Sequence, residues 1–198
     1  MQKLYPSLVW KKNTENKELY LTFDDGPHPV ITPWVLEQLD KVNAKATFFC
    51  VGENLEKYED VAKETLRRGN LIANHTHNHL KGWKTSDEVY INNIEQCERI
   101  IQRISPQKNP LFRPPYGRIK KGQINLIKPH YDLIMWSHLS WDFDPKLAIR
   151  KSIRAMKKAD SGSIIVFHDS KKSFQNLKKL LPEMLDYWSQ NGFRFAHL

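Results

Sequence analysis

The chain has only two cysteines in 198 residues, Cys50 and Cys97, too few for a disulfide framework. Cys50 ends the apolar run Ala46-Thr47-Phe48-Phe49 and Cys97 sits in a helical pattern, so both are expected to pack as small buried hydrophobes. No stretch approaches the roughly 20 apolar residues that cross a bilayer. The residues from Met1 to Lys12 hold no apolar run long enough for a secretion signal, and the expected location is therefore the cytoplasm. There is no internal repeat, no low-complexity linker and no recognised nucleic-acid motif. What remains is a chain of one-domain length with an ordinary 40% hydrophobic content.

Acidic residues are also in deficit, 22 against 31 Lys and Arg, for a net charge of +9. Such a balance admits a nucleic acid, an anionic membrane surface or an acidic polymer as partner. The basic residues come as scattered pairs, among them Arg67-Arg68, Lys120-Lys121, Lys157-Lys158, Lys171-Lys172 and Lys178-Lys179. Most fall in predicted helices, where they read as a solvated face. No nucleic-acid partner is expected, peripheral contact with a membrane stays open, and a monomer is expected.

Strand and helix patterns alternate along the chain. Strands are expected at 19–23, 46–51, 71–74, 111–112, 131–136, 163–167 and 193–196. Helices are expected at 33–42 with Pro33 early, at 55–68 ended by Gly69-Asn70, and from Ser86 with Pro106 beyond the end. Further helices are expected at 120–128, 145–158 and 174–190, the last ended by Asn191-Gly192. Ser86 is half of a capping box, because Val89 stands where Glu would complete it. This alternation predicts an α/β fold with a parallel sheet, and about seven units favour a barrel. Residues able to do chemistry follow the strands directly: Asp24-Asp25, His75 to His79, Arg113, Asp142 and His168. That end of an α/β barrel holds its active site.

Two adjacent carboxylates occur where Leu19-Tyr20-Leu21-Thr22-Phe23 runs into Gly26-Pro27. On an extended backbone their side chains diverge, so one can bind a metal while the other reaches a water. His75 and His79 stand at i and i+4, a spacing that puts both on one face of a helical turn. Asp plus two His is a three-ligand set that leaves room for water. The metalloprotease pattern would place Glu after the first His, but Thr76 is there.

Taken together these segments resemble the NodB-like polysaccharide deacetylases, carbohydrate esterase family four, over residues 18 to 198. Thr22-Phe23-Asp24-Asp25-Gly26 matches the first family motif, His75-Thr76-His77-Asn78-His79 the second, and Arg113-Pro114-Pro115-Tyr116 the third. Val166-Phe167-His168 matches the fifth. The fourth, D-x-x-D-W, falls on Leu139-Ser140-Trp141-Asp142-Phe143, so its second Asp is kept while Leu139 and Phe143 depart from it.

The resemblance implies a distorted (β/α) barrel, with residues 1–17 an N-terminal extension and 18–198 the catalytic domain. It implies a metal-dependent hydrolase that removes N-acetyl groups from a chitin-like, peptidoglycan-like or lipid-linked aminosugar glycan. O-acetyl and N-formyl substrates stay open. Asp25, His75 and His79 would hold zinc, cobalt or nickel. Asp24 would be the base, held by Arg113, and His168 the acid, oriented by Asp142. The Tyr116 N–H would steady the oxyanion. Pro115, Tyr116, Trp141 and Phe143 would line the sugar groove, with Trp83 a further stacking aromatic. His28 stands near the base or on the loop surface, His77 is expected to face away from the metal, and His130, His138 and His197 to be structural or exposed. A carbohydrate-binding pseudoenzyme and a basic nucleic-acid-binding protein are the alternatives.

Overall fold

The computed structural model describes residues 5–105 and 110–198. Pro106, expected beyond the fourth helix, lies outside them, as do Met1 to Leu4. β1 (Glu18–Asp24) leads to α1 (Ile31–Lys41), β2 (Thr47–Cys50) to α2 (Gly52–Lys57) and α3 (Glu59–Arg67), and β3 (Leu71–Asn74) to α4 (Asp87–Ile104). β4 (Leu111–Phe112), α5 (Lys121–Ile127), β5 (Asp132–Leu133) and β6 (His138–Leu139) follow. α6 (Ile149–Met156), β7 (Ile164–His168), α7 (Phe174–Gln190) and β8 (Arg194–Ala196) complete the chain. Seven strands lie in the order β5-β4-β3-β2-β1-β7-β6, every pair parallel, and curl into a half-barrel; β8 adds to β1.

The period of two along β1 decides which side chain goes where. Leu19, Leu21 and Phe23 join one core with Leu36 and Leu39 of α1 and Leu177 and Leu181 of α7. Phe23 stacks on Phe48 at 5.0 Å and on Phe167 at 5.7 Å, tying the three central strands together. Each such ring contributes about 1.5–3 kcal/mol by burial. Tyr20 faces the other way, with Phe49, Ala73 and Ile164, and Thr22 and Asp24 share that inner face. β1 therefore carries a polar pair into the curl of the sheet at its C-terminal end.

The N-terminal segment is hydrogen-bonded to this framework. The Val9 amide donates to the Leu133 carbonyl at 3.0 Å, Met135 donates back to Val9 at 2.7 Å, and Leu8 packs among Phe112, Leu133 and Met135. Of the extended stretch expected at 131–136 only Asp132–Leu133 forms β5; Ile134 still donates to the Phe112 carbonyl of β4 at 2.9 Å and bridges to Val9 on its other side. The strand β6 was not foreseen, being two residues long and half polar.

Three helix boundaries also differ. The helix expected at 55–68 is broken at Tyr58 (φ −130°, ψ 45°), where Glu59 and Asp60 suit a fresh N-terminus. The one expected at 145–158 starts only at Ile149, because the Lys146 amide bonds the Asp144 side chain and holds a turn. The first begins at Ile31, two residues ahead of Pro33. The caps fare better: Gly69 (φ 75°) and Gly192 (φ 75°) close their helices in the left-handed region, and Ser86 Oγ accepts from the Val89 amide. Both cysteines are buried, unpaired thiols.

Candidate active site

The first site segment is the turn that ends β1. Asp24 lies on the inner face and is almost fully buried, while Asp25 turns out of the strand with φ 82°, an unusual conformation for a residue with a Cβ. Neighbouring groups fix it there. Asn54 Nδ2 donates to the Asp25 carbonyl at 2.7 Å, and the Val51 amide donates to the Gly26 carbonyl at 2.9 Å. The Asp169 carboxylate lies over Gly26 so closely that a Cβ there would come within 2.1 Å of its Oδ2. Asp169 accepts from Thr32 Oγ1, and burial pushes its pKa up to about 7.

The second segment corrects one expectation. Residues 75–79 form a loop rather than a helical turn, with Thr76 at φ 69° and His79 at φ 58°. The amides and carbonyls of this stretch are claimed from outside, which removes them from an i to i−4 ladder. Asn74 Oδ1 accepts from the Thr76 amide at 2.9 Å, and Asn93 Oδ1 accepts from the His77 amide at 2.9 Å. The Thr76 and His77 carbonyls accept from Gly52 and Glu53 at the start of α2. The two imidazoles still converge, by loop geometry. His75 Nδ1 donates to the Arg113 carbonyl at 2.7 Å, which turns Nε2 towards Asp25.

Asp25 Oδ1 lies 3.2 Å from His79 Nε2 and 3.8 Å from His75 Nε2, and ligand atoms of all three lie within 4.8 Å of one another. Burial lowers His75 to a pKa of about 4, so it is neutral and offers a lone pair. Burial works against the Asp25 charge, yet the hydrogen bond from His79 and the nearby positive charge of His168 hold its carboxyl far below the ordinary range. Two imidazoles and one carboxylate, preformed and partly shielded, are a donor set that fits a divalent cation. His77 stays out of this trio, buried against Gly52.

Arg113, after β4, is fully buried, and its side chain is used to the full. Nη1 donates to Asp24 Oδ1 at 2.6 Å and to Thr22 Oγ1 at 2.7 Å. Nε and Nη2 donate to the carbonyls of Ile134 and Met135, and the guanidinium lies 4.0 Å from the centre of the Phe49 ring. One residue thus holds Asp24 with its side chain and His75 with its carbonyl. A buried ion pair needs such saturation, because desolvating both charges costs several kcal/mol.

The last pair comes from the β6–α6 turn and β7. Asp142 is fully buried; its Oδ1 lies 2.7 Å from His168 Nδ1 and its Oδ2 accepts the His168 amide at 2.8 Å. Burial opposes a charge on His168, but the Asp142 carboxylate outweighs it and raises the pKa to about 9. Aromatic rings wall the opening. Tyr116 (φ 60°), half exposed on the turn Pro115–Gly117, lies 4.7 Å from His79, with Pro115 buried beneath it. Phe143 stands edge-on to His168 at 5.1 Å, and exposed Trp141 lies 5.6 Å from Phe143.

Every site residue expected from the sequence thus enters one constellation. His28 instead accepts from the Val30 and Ile31 amides at the start of α1. Thr22, Asn74, Asn93 and Asp169 were missed as supports. For the first three the signal is a polar residue at an apolar strand or helix position, which a search for reactive groups passes over; Asp169 follows the end of β7.

Fold and site together define a hydrolase built on a curled parallel sheet, with a seat for a metal ion at the C-terminal ends of the strands. The family profile described as "Polysaccharide deacetylase" matches residues 11–130. Two peptidoglycan-N-acetylglucosamine deacetylases of Bacillus cereus are similar. One is 33% identical over 200 residues, covering 96% of this chain and 90% of the relative. The other is 32% identical over 187 residues, covering 91% of this chain and 66% of the relative. A crystal structure of a peptidoglycan N-acetylglucosamine deacetylase superposes with a TM-score of 0.89 at 29% identity, covering 96% of this chain and 90% of that one. The chain belongs to the polysaccharide deacetylase family, hydrolases of carbon–nitrogen bonds other than peptide bonds.

Proposed function

We propose that this protein is a metal-dependent de-N-acetylase of an N-acetylated aminosugar glycan, peptidoglycan-like in the first instance and chitin-like in the second. The observation that carries the reading is the pairing of two opposite proton handlers around one metal seat: Asp24 held by Arg113, and His168 held by Asp142. A divalent ion at Asp25, His75 and His79, zinc first and cobalt or nickel as substitutes, supplies Lewis acidity and a nucleophile at neutral pH.

The side chains do the rest. Arg113 occupies Oδ1 of Asp24 and balances its charge, which leaves Oδ2 to take the proton of the attacking water. The Tyr116 N–H, presented by a left-handed turn, donates to the oxyanion as it forms. His168, protonated near neutrality, gives its Nε2 proton to the departing amine, without which the amide nitrogen leaves very poorly. Phe143, Trp141 and Tyr116 pack against the apolar faces of the sugar. A pseudoenzyme has no use for this apparatus: a lectin needs no buried Arg–Asp pair behind the base.

The test is amine release from N-acetylglucosamine oligomers by purified protein, after chelation and again after adding zinc or cobalt. Activity restored by metal and absent in Asp24→Asn supports the reading. Silence with every metal, while oligomers still bind, favours the pseudoenzyme.

A further inference from the structure

Residues 8–12 precede the first site motif, yet their backbone is hydrogen-bonded into the sheet that carries the site. We infer that Val9 is a positioning residue for the base Asp24, acting through the 133–135 segment and Arg113. The inference rests on the reading of Asp24 as the base of a de-N-acetylase and adds the part of the molecule that holds that base in place.

The segment is fastened at both ends. At one, the Val9 amide donates to the Leu133 carbonyl at 3.0 Å, and the Val9 carbonyl accepts from the Met135 amide at 2.7 Å. Leu8 beside it is buried in the cluster of Phe112, Leu133 and Met135. At the other end the Lys12 amide donates to the Gly162 carbonyl at 2.9 Å, and Lys11 bridges to Ser163. The Lys11 ammonium lies 2.6 Å from Asp160 Oδ2. The approach at Gly162 (φ 84°) is so close that a Cβ there would come within 2.1 Å of the Lys12 carbonyl oxygen. Ser163 leads directly into β7, so residues 9–12 reach from the end of β5 to the start of β7.

Val9 grips the stretch that holds Arg113. Ile134 is tied on one side to the Phe112 carbonyl and on the other bridges to Val9. Its carbonyl accepts from Arg113 Nε at 3.3 Å, and the Met135 carbonyl accepts from Arg113 Nη2 at 3.0 Å. These two acceptors fix the plane of the guanidinium fork, and Nη1 then falls on Asp24 Oδ1 at 2.6 Å. Arg113 is fully buried, so a carbonyl that drifts away leaves an N–H unpaired and the fork free to turn. The path Val9–Met135–Arg113–Asp24 has no link longer than 3.0 Å. The metal seat hangs on other bonds. The Arg113 amide, next to the carbonyl that holds His75, donates to the Asn74 carbonyl, and Asn54 holds the Asp25 carbonyl. Loosening Val9 should therefore disturb the base and spare the metal.

The experiment is a kinetic double-mutant cycle on the full chain. Val9→Pro removes the amide donor, and kcat on N-acetylglucosamine oligomers should fall by about ten-fold or more, with KM and bound metal changed by less than about two-fold. Val9→Thr keeps the amide and the shape, and its kcat should stay within about two-fold of the parent. Leu185→Ala, in the core under α7, should lower the melting temperature at least as much and leave kcat unchanged well below the melt. In an Arg113→Lys background, Val9→Pro should cost less than about three-fold, because the fork it serves is gone. An unchanged kcat in Val9→Pro, an equal loss in Leu185→Ala, or the same factor lost in both backgrounds would overturn the inference. If Val9→Pro does not fold, Val9→Gly takes its place, with a kcat loss of about three-fold and the same controls. Acetate release by the unaltered protein is scored separately. If it is absent, the functional reading fails by itself, and the path is judged on melting temperatures: Val9→Pro and Arg113→Lys together should cost less than the sum of their separate shifts, and additive shifts would overturn it.

Discussion

Replacing Asp142 with Asn changes one atom and one charge, and the structure says what should follow. The His168 amide is a fixed donor to Asp142 Oδ2, so in the Asp142→Asn variant the single side-chain oxygen belongs on that side. The new NH₂ then faces His168 Nδ1 and donates to it, which holds the imidazole neutral. The favourable charge disappears while burial remains, so the His168 pKa falls from about 9 to its ordinary 6.5 or lower. A fall of roughly 2.5 units corresponds to about 3 kcal/mol of lost preference for the imidazolium. At pH 7.5 the protonated fraction drops from nearly all to about a tenth or less, and proton donation at Nε2 fails with it. General acid catalysis is worth on the order of 10²–10⁴ in rate. The expected result is a kcat on N-acetyl oligomers lower by that factor, with the alkaline limb of the pH profile moved from near 9 to 6.5 or below. An aryl acetate, whose leaving group needs no proton, should lose less than ten-fold. An unmoved alkaline limb, or equal losses on amide and ester, would show that another group is the acid.

Asp24→Asn should retain metal, measured by atomic emission after gel filtration, and lose turnover by on the order of 10²–10⁴; equal loss of metal would dissolve the division of labour between the two carboxylates. Arg113→Met should destabilise the fold by about 3–5 kcal/mol in urea melts, because it leaves the buried Asp24 charge unpaired; a loss under about 1 kcal/mol would mean that Asp24 is paired otherwise. Asp169→Asn concerns pH. Its folded pKa of about 7 stands above the unfolded value, so the folded state binds more protons and stability declines as pH rises towards 7, then levels. The Asn variant lacks that slope, and its melting temperature should gain on the parent between about pH 4 and 7; parallel curves would place the Asp169 proton elsewhere.

The chemistry of this site was legible in the sequence because it sits at strand ends, and strand ends are where sequence pattern is sharpest. Tyr20, Thr22 and Asp24 alternate with Leu19, Leu21 and Phe23, and the alternation alone puts Asp24 inside the curl. The conformation of the His segment was not legible. Spacing predicts a helical turn for His75 and His79, but the backbone there is spoken for by Asn74, Asn93 and the start of α2, residues mostly far off in sequence. A local rule cannot see contacts made across about 15 to 25 residues. The break at Tyr58 is different in kind: acidic residues at 59 and 60 signal an N-terminus, yet the apolar pattern runs through them.

The two departures in the fourth motif can now be weighed apart. Leu139 lies in β6, paired with Val166 of β7, and makes its contribution to the sheet. Nothing in the contacts of His168 depends on it: Asp142 alone supplies both oxygens that the residue uses. Phe143 is another matter, since its ring edge meets His168 and its face carries Lys172. A phenyl ring offers no N–H donor, so this wall grips sugar by apolar contact and leaves polar recognition to the cations around it. Leu139 therefore bears on stability and Phe143 on substrate. Swapping them for the family residues separates the two: Leu139→Asp should lower the melting temperature because it puts a carboxylate into a half-buried strand, whereas Phe143→Trp should change KM among glycans and leave the melting temperature nearly still. A collapse of kcat in Phe143→Trp with KM unchanged would put the ring in the proton path instead of the groove wall.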